Sequence, residues 1–190
     1  MKLVFATNNL NKLSEIRSLV PEGIQILSLS DINCNEELPE TYPSLEENAL
    51  QKAKYVFDNY GFNCFADDTG LEIDILGGEP GVYSARYAGL ECNAENNMNK
   101  VLKKLERSEN REAKFRTIIA VIMNGVETLF HGECKGEIVK KKRGTEGFGY
   151  DPIFIPSGFN KTFAEMTKVQ KGSISHRGKA VNKLINFLNS

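Results

Sequence analysis

The feature that most constrains the fold is the opening of the chain. Leu3-Val4-Phe5-Ala6 is a fully apolar run, too short for a helix and right for a strand buried on both faces. It stops at Thr7-Asn8-Asn9, and Leu13, Ile16 and Leu19 then recur at helical spacing until Pro21 and Gly23. A further apolar stretch, Ile24 to Leu29, predicts a second strand. Strand, polar loop, helix, strand is a βαβ start, which commits the chain to an α/β sheet. Later segments add to it. Ser44 and Glu47 form a capping box before a helix whose apolar stripe is Leu45, Ala49, Ala53 and Phe57, flanked by Asn48 and Lys52. Asn63-Cys64-Phe65-Ala66 predicts a strand ending at Asp67-Asp68-Thr69-Gly70. A helix is expected near 93–106, and Asn124-Gly125 joins two strand-like runs, 115–123 and 126–134, into a hairpin. Val181, Leu184, Ile185 and Leu188 mark a last helix. The sum is a mixed α/β fold with at least one antiparallel hairpin, read as one domain over 1–190.

Composition restricts the function. With 190 residues, 24 Lys+Arg and 25 Asp+Glu, the formal charge is -1, unlike the strong positive excess of a general nucleic-acid binder. No apolar run reaches the roughly 18–20 residues that span a bilayer. The start turns polar too early for a signal peptide, so a cytoplasmic location is expected, with neither nucleic acid nor membrane as partner. Cys34, Cys64, Cys92 and Cys134 lie far apart without a CxxC pair and are expected as buried free thiols. His131 and His176 are the two histidines, so a metal would be held mainly by carboxylates, which favours Mg²⁺ or Mn²⁺.

Four segments carry candidate chemistry, mostly where a strand is expected to give way to a helix, the crevice in which open α/β sheets bind ligands. Thr7-Asn8-Asn9-Leu10-Asn11-Lys12 offers amide side chains, helix-start N–H groups and one cation to a phosphate, without the glycines of a Walker A loop. The same asparagines also suit a plain turn and cap. Asp67-Asp68-Thr69-Gly70 places two carboxylates side by side, costly without a compensating cation. A metal bridging phosphate oxygens would supply it and leave one carboxylate to take a proton from water. A solvated acidic turn is the alternative, and Glu36, Glu37, Glu40, Glu46 and Glu47 are further acids. Gly144 to Pro152 combines glycines with Phe148 and Tyr150, whose rings suit a planar base. Pro152 stands where a dinucleotide fingerprint needs its third glycine, and a glycine-rich turn with core aromatics has the same composition. Lys168 to Lys179 gathers Lys171, Ser173, Ser175, His176 and Arg177 just before the last helix, suited to a phosphate or an electronegative base edge. His176 also suits a structural hydrogen bond.

Six stretches in sequence order resemble the Ham1/ITPase family, the noncanonical purine nucleoside triphosphate pyrophosphatases. They are Thr7-Asn8-Asn9 with Lys12, Asn48-Ala49-Leu50-Gln51-Lys52-Ala53, Ala66 to Leu71, Pro80 to Tyr87, Phe148 to Pro152 and Ser175 to Gly178. The resemblance spans essentially the whole chain. It implies hydrolysis of ITP, dITP and XTP to the monophosphate and pyrophosphate, on an elongated mixed sheet flanked by helices in two lobes with a central cleft, related to the Maf fold. It implies a homodimer and a Mg²⁺ requirement, with Mn²⁺ as substitute. By the same resemblance Asp68 is the general base and a metal ligand, and Glu40 is the second ligand. Lys52 and Lys12 neutralise the triphosphate, with Thr7, Asn8, Asn9, Leu10, Asn11 and Thr69 around it. Phe148 stacks on the base, and Gly149, Tyr150, Asp151, Lys171, His176 and Arg177 complete its pocket. Donors such as His176 and Arg177 would accept the 6-keto oxygen and be left unpaired by adenine. Rival readings are a Maf-type pyrophosphatase acting on modified pyrimidine or standard nucleotides, and a non-catalytic nucleotide sensor; a nucleic-acid module fits worst.

Overall fold

The structure is a computed structural model describing residues 1–189. Its strands and helices are β1 (Lys2–Phe5), α1 (Leu10–Leu19), β2 (Gln25–Leu27), α2 (Leu45–Tyr60), β3 (Cys64–Ile73), β4 (Pro80–Gly81), α3 (Ala94–Lys104), β5 (Glu112–Met123), β6 (Val126–Ile138), β7 (Phe154–Pro156), α4 (Lys168–Ile174) and α5 (His176–Leu188). The strands are ordered β2-β1-β3-β5-β6-β7, with β4 paired to β3. β1 runs parallel to β2, with Leu3 opposite Ile26, and parallel to β3, with Phe5 opposite Phe65. β4 and β7 are antiparallel to β3 and β6. The expected mixed α/β sheet is therefore present.

The chain divides into two compact units. The first holds residues 1–68, 117–132 and the segment from Arg177 onward; the second holds 69–116 and 133–176. In the first, Leu3, Phe5, Leu13, Ile16, Ile26, Phe65, Ile119, Val121, Val181 and Leu184 form the core, and the Phe5 and Phe65 rings stack at 4.5 Å. Burying residues such as these stabilises by about 1.5–3 kcal/mol each. In the second, Leu71, Ile73, Met98, Val101, Leu105, Phe115, Phe154 and Phe163 play the same part.

Local rules explain the elements. Asn9 caps α1, its Oδ1 accepting the N–H groups of Asn11 and Lys12. Ser44 caps α2, and Gly61 ends it in the left-handed region. Asn124 and Gly125, at φ 51° and 81°, make the tight turn between β5 and β6.

Five expectations are corrected. The strand at Ile24–Leu29 contracts to Gln25–Leu27, because Ser30–Ile32 turns into a 3-10 helix. The buried face of α2 runs through Val56 rather than Phe57, and Asn48 and Lys52 lie within it rather than on its flank. β3 does not end at the aspartates but runs on to Ile73, so Asp67 to Gly70 lie inside the strand. Gly70 permits this, since a Cβ there would stand 2.7 Å from the Gly81 carbonyl oxygen on β4. The basic segment from Lys168 is itself helical, as α4 behind a Thr167/Gln170 capping box and then the first turn of α5. Cys34, Cys64 and Cys134 are buried thiols, whereas Cys92 is exposed. Among the described residues no helix is long and apolar enough to cross a membrane.

Candidate active site

Neighbouring residues on a strand face opposite ways, and this separates Asp67 from Asp68. Asp67 is fully buried and clasped between two cations of the first unit. Lys12 Nζ donates to its Oδ1 at 2.9 Å and Arg177 Nε to its Oδ2 at 3.0 Å. Burial alone would push this carboxyl upward, but Lys12 and Arg177 outweigh it and hold the group well below the usual aspartate range. Arg177 Nη1 in turn donates to Glu15 on α1. Lys12 is pushed downward by its own burial, against the pull of Asp67.

Asp68 has the opposite environment. It is 7% exposed, and its Oδ1 lies 3.8 Å from Lys52 Nζ. Burial, with Glu40 and Asp67 as like charges, pushes its carboxyl up despite the cations Lys52 and Lys12. Lys52 Nζ donates to the Asp67 carbonyl oxygen at 2.8 Å and to Glu40 Oε1. Burial would lower Lys52, but Asp68, Glu40 and Asp67 together raise it, so it stays an ammonium. A carboxyl raised beside a carboxylate lowered is the pattern that separates an acid–base group from a structural one.

Glu40 and Asp68 both reach Lys52, so two carboxylates share one ammonium. Two carboxylates with space for waters and phosphate oxygens is how Mg²⁺ is commonly held. No cluster of three or more His, Cys, Asp or Glu suited to a metal exists among the described residues, so the donor set fits Mg²⁺ only with substrate or water oxygens completing it.

The residues before α1 are largely committed within the chain. Thr7 Oγ1 accepts from the Asn9 N–H, and Asn9 is the helix cap. The Asn8 amide bonds the Glu36 carbonyl and the Leu38 N–H, fastening the next loop rather than standing open to an anion. Leu10 and Asn11 are exposed on the first turn of α1.

The second unit holds the aromatic group. Asp151 Oδ2 accepts from the Phe148 N–H at 2.8 Å and from Lys171 Nζ at 2.7 Å, and that ammonium lies 4.8 Å from the Phe148 ring centre. Gly147, at φ 75°, is required here, because a Cβ would stand 2.0 Å from Asp151 Oδ2. Gly149 also has positive φ, with open space at its Cβ direction. His176 is buried and stacks on Phe115 at 4.4 Å. Tyr150 is buried, donates its hydroxyl to the Ser84 carbonyl at 2.7 Å and belongs to the core, so its ring is a packing element. Its phenol is pushed up by that burial. Thr69, partly buried, follows Asp68 in β3 and belongs to this unit.

The structure thus gathers Lys12, Lys52, Asp68 and Glu40 in one unit and Phe148, Gly149, Asp151, Lys171 and His176 in the other. Arg177, expected with the second group, is committed through its guanidinium to Asp67 and Glu15 in the first. Glu15 escaped the sequence reading; its signal is a position three residues after Lys12, on the same face of α1.

The chain matches the Ham1 family over residues 3–187. It is 59% identical over 188 residues to the dITP/XTP pyrophosphatase of Flavobacterium johnsoniae, covering 99% of this chain and 98% of that protein. It is 49% identical to the dITP/XTP pyrophosphatase of Porphyromonas gingivalis, covering 98% and 97%. Among solved structures, the Ham1 protein of Staphylococcus aureus superposes with a TM-score of 0.89 at 38% identity, over 100% of this chain and 98% of that one. A HAM1 protein from Coxiella burnetii gives 0.90 at 35% identity, over 100% and 98%. With the family pattern matched from one end to the other, the chain belongs to the Ham1 family.

Proposed function

We propose that the chain hydrolyses noncanonical purine nucleoside triphosphates, dITP, XTP and ITP, to the monophosphate and pyrophosphate. The observation that carries this is the pairing of a structural Asp67 with an acid–base Asp68 beside Lys12 and Lys52. The reading is also supported by the dITP/XTP pyrophosphatase names of the relatives above.

In the proposed reaction, the oxygen of a water attacks the α-phosphorus, the bond from that phosphorus to the bridging oxygen breaks, and pyrophosphate leaves. Asp68 accepts the proton of the attacking water, a task favoured by a carboxyl whose affinity for protons is already raised. Lys12 and Lys52 offset charge on the polyphosphate, and a charge-assisted contact of this kind strengthens as water is excluded. Glu40 and Asp68 would hold Mg²⁺, with Mn²⁺ as substitute, and the bound cation would lower the charge on the phosphate oxygens. In the second unit Phe148 would stack on the base, with Gly149 leaving room beside it. Asp151 holds that loop and Lys171 together, and Lys171, His176 and backbone N–H groups would meet a 6-keto oxygen. Arg177 belongs with Asp67 on the phosphate side. We also propose a cytoplasmic location and a homodimer, and light scattering on the eluting peak of a sizing column measures the second directly.

The test is a panel of dITP, XTP, ITP, GTP, ATP and modified pyrimidine triphosphates with Mg²⁺, with products separated. Monophosphate and pyrophosphate from the first three are expected. Orthophosphate as the first product, preference for pyrimidines, or tight binding without turnover would each overturn the assignment.

A further inference from the structure

Glu40 lies in a segment, residues 34–44, that has neither helix nor strand. Its position therefore cannot come from a ladder of backbone bonds, and the backbone groups of such a segment need side-chain partners. One face of α2 supplies them in order. Asn48 accepts the Tyr42 N–H at 2.9 Å and donates to the Tyr42 carbonyl at 3.1 Å. Gln51 accepts the Thr41 N–H at 3.0 Å and donates to the Thr41 hydroxyl at 2.9 Å. Lys52 donates to the Glu40 carboxylate. Three consecutive loop residues, 42, 41 and 40, thus meet three residues of one helix face, 48, 51 and 52. Asn8 fastens the other end of the loop, at Glu36 and Leu38. Asn48 is fully buried, so both of its amide bonds are made away from water, where an amide left unmade is costly.

We propose that Asn48 and Gln51 are positioning residues for Glu40: they set the register of the loop on α2 so that the Glu40 carboxylate is delivered to the cation site it shares with Asp68. The proposal rests on the assignment of Glu40 as a cation ligand made above. Groups that orient a metal ligand commonly change metal affinity by about 10–100-fold when removed.

The experiment measures Mn²⁺ binding to the substrate-free protein by titration calorimetry and by electron paramagnetic resonance of free Mn²⁺. Wild type, Glu40→Gln, Asn48→Ala and Gln51→Ala are compared, with Mg²⁺ half-saturation and kcat at saturating Mg²⁺ recorded separately. Glu40→Gln is expected to weaken Mn²⁺ by more than tenfold, Asn48→Ala by about tenfold and Gln51→Ala by several-fold. The two amide variants should regain most of kcat at high Mg²⁺. A merely structural role would lower the active fraction without moving the metal constant, and that result overturns the proposal. If Glu40→Gln weakens binding while both amide variants bind as wild type, positioning is refuted and the Glu40 assignment stands. If Glu40→Gln itself binds as wild type, the assignment falls and the proposal with it. Gln51 is partly exposed on a helix, so its variant decides the matter should Asn48→Ala fail to fold.

Discussion

Replacing Asp67 by asparagine keeps the shape of the side chain and removes one charge from a site with no exposure to water. The asparagine Oδ1 can still accept from one of the two cations, but its NH2 group must then face the other. Both cations are deep, with side-chain exposures of 14% for Lys12 and 3% for Arg177. Removing one partner of a buried pair costs about 3–5 kcal/mol. Arg177 keeps Glu15, so the lower end applies, about 3 kcal/mol. For a chain of this size each kcal/mol moves Tm by roughly 2–4 °C, so a fall of about 6–12 °C is expected. The pH dependence has a definite sign. The folded carboxyl titrates below its ordinary value of 3.8, so its stabilisation is complete above that value and is lost as pH falls through the folded pKa. The gap between wild type and Asp67→Asn should therefore be constant from pH 7 to 5, then narrow below pH 4 by up to about 1.4 kcal/mol per unit. Urea unfolding of both proteins at pH 7, 5 and 3 reads this directly. A gap under about 1 kcal/mol at pH 7, or one unchanged at pH 3, would refute the account of Asp67 as a clasped carboxylate.

Asp68→Asn should behave in the opposite way: turnover of dITP falls by about 10²–10⁴-fold. Its Tm, read by calorimetry, holds or rises, because burial disfavours the native ionised carboxylate; a lower Tm with retained turnover would contradict both roles. Gly147→Ala forces a Cβ against Asp151 at a positive φ and should cost about 1–3 kcal/mol while raising KM more than it lowers kcat, as steady-state kinetics on XTP would show. Lys171→Met leaves Asp151, 3% exposed, without its cation and should destabilise by about 3–5 kcal/mol in thermal melts; an unchanged melting curve would mean the pair contributes nothing.

The parts legible in the sequence were those governed by near neighbours. Asn124-Gly125 dictates its own turn, Ser44 its own cap, and the Leu3 to Ala6 run its own burial, and each element stands where those residues place it. Lys52 stands in a motif-like helix, whereas Glu40, twelve positions earlier, was reachable only through the family resemblance, and their contact was not legible. What was not legible depends on pairs brought together from far along the chain. Arg177 meets Asp67 across 110 positions and Glu15 across 162, and no local pattern reports such a meeting. The extension of β3 through four polar and small residues was hidden for the same reason. Asp67 is a poor strand residue by propensity, and it is tolerated there because Lys12 and Arg177 arrive to neutralise it.

That dependence gives the adjacent aspartates a joint logic. A strand turns its successive side chains to opposite faces, so one step along the backbone moves a carboxylate from one environment to another without moving the main chain. Asp67 takes two cations, and Lys12 is drawn inward with it. Asp68 is left sharing one lysine with Glu40, and its burial keeps its proton affinity high against that cation. Lys52 joins the two halves, donating to the carbonyl of Asp67 while facing the carboxylate of Asp68. A polyanion arriving at Lys12 and Lys52 therefore competes with Asp67 and Asp68 for the same ammonium groups. A cation bound by Glu40 and Asp68 would relieve that competition, because the carboxylates it holds no longer need the lysines. On this electrostatic ground substrate and divalent cation should bind more tightly together than either does alone, each raising the affinity of the other by the same factor.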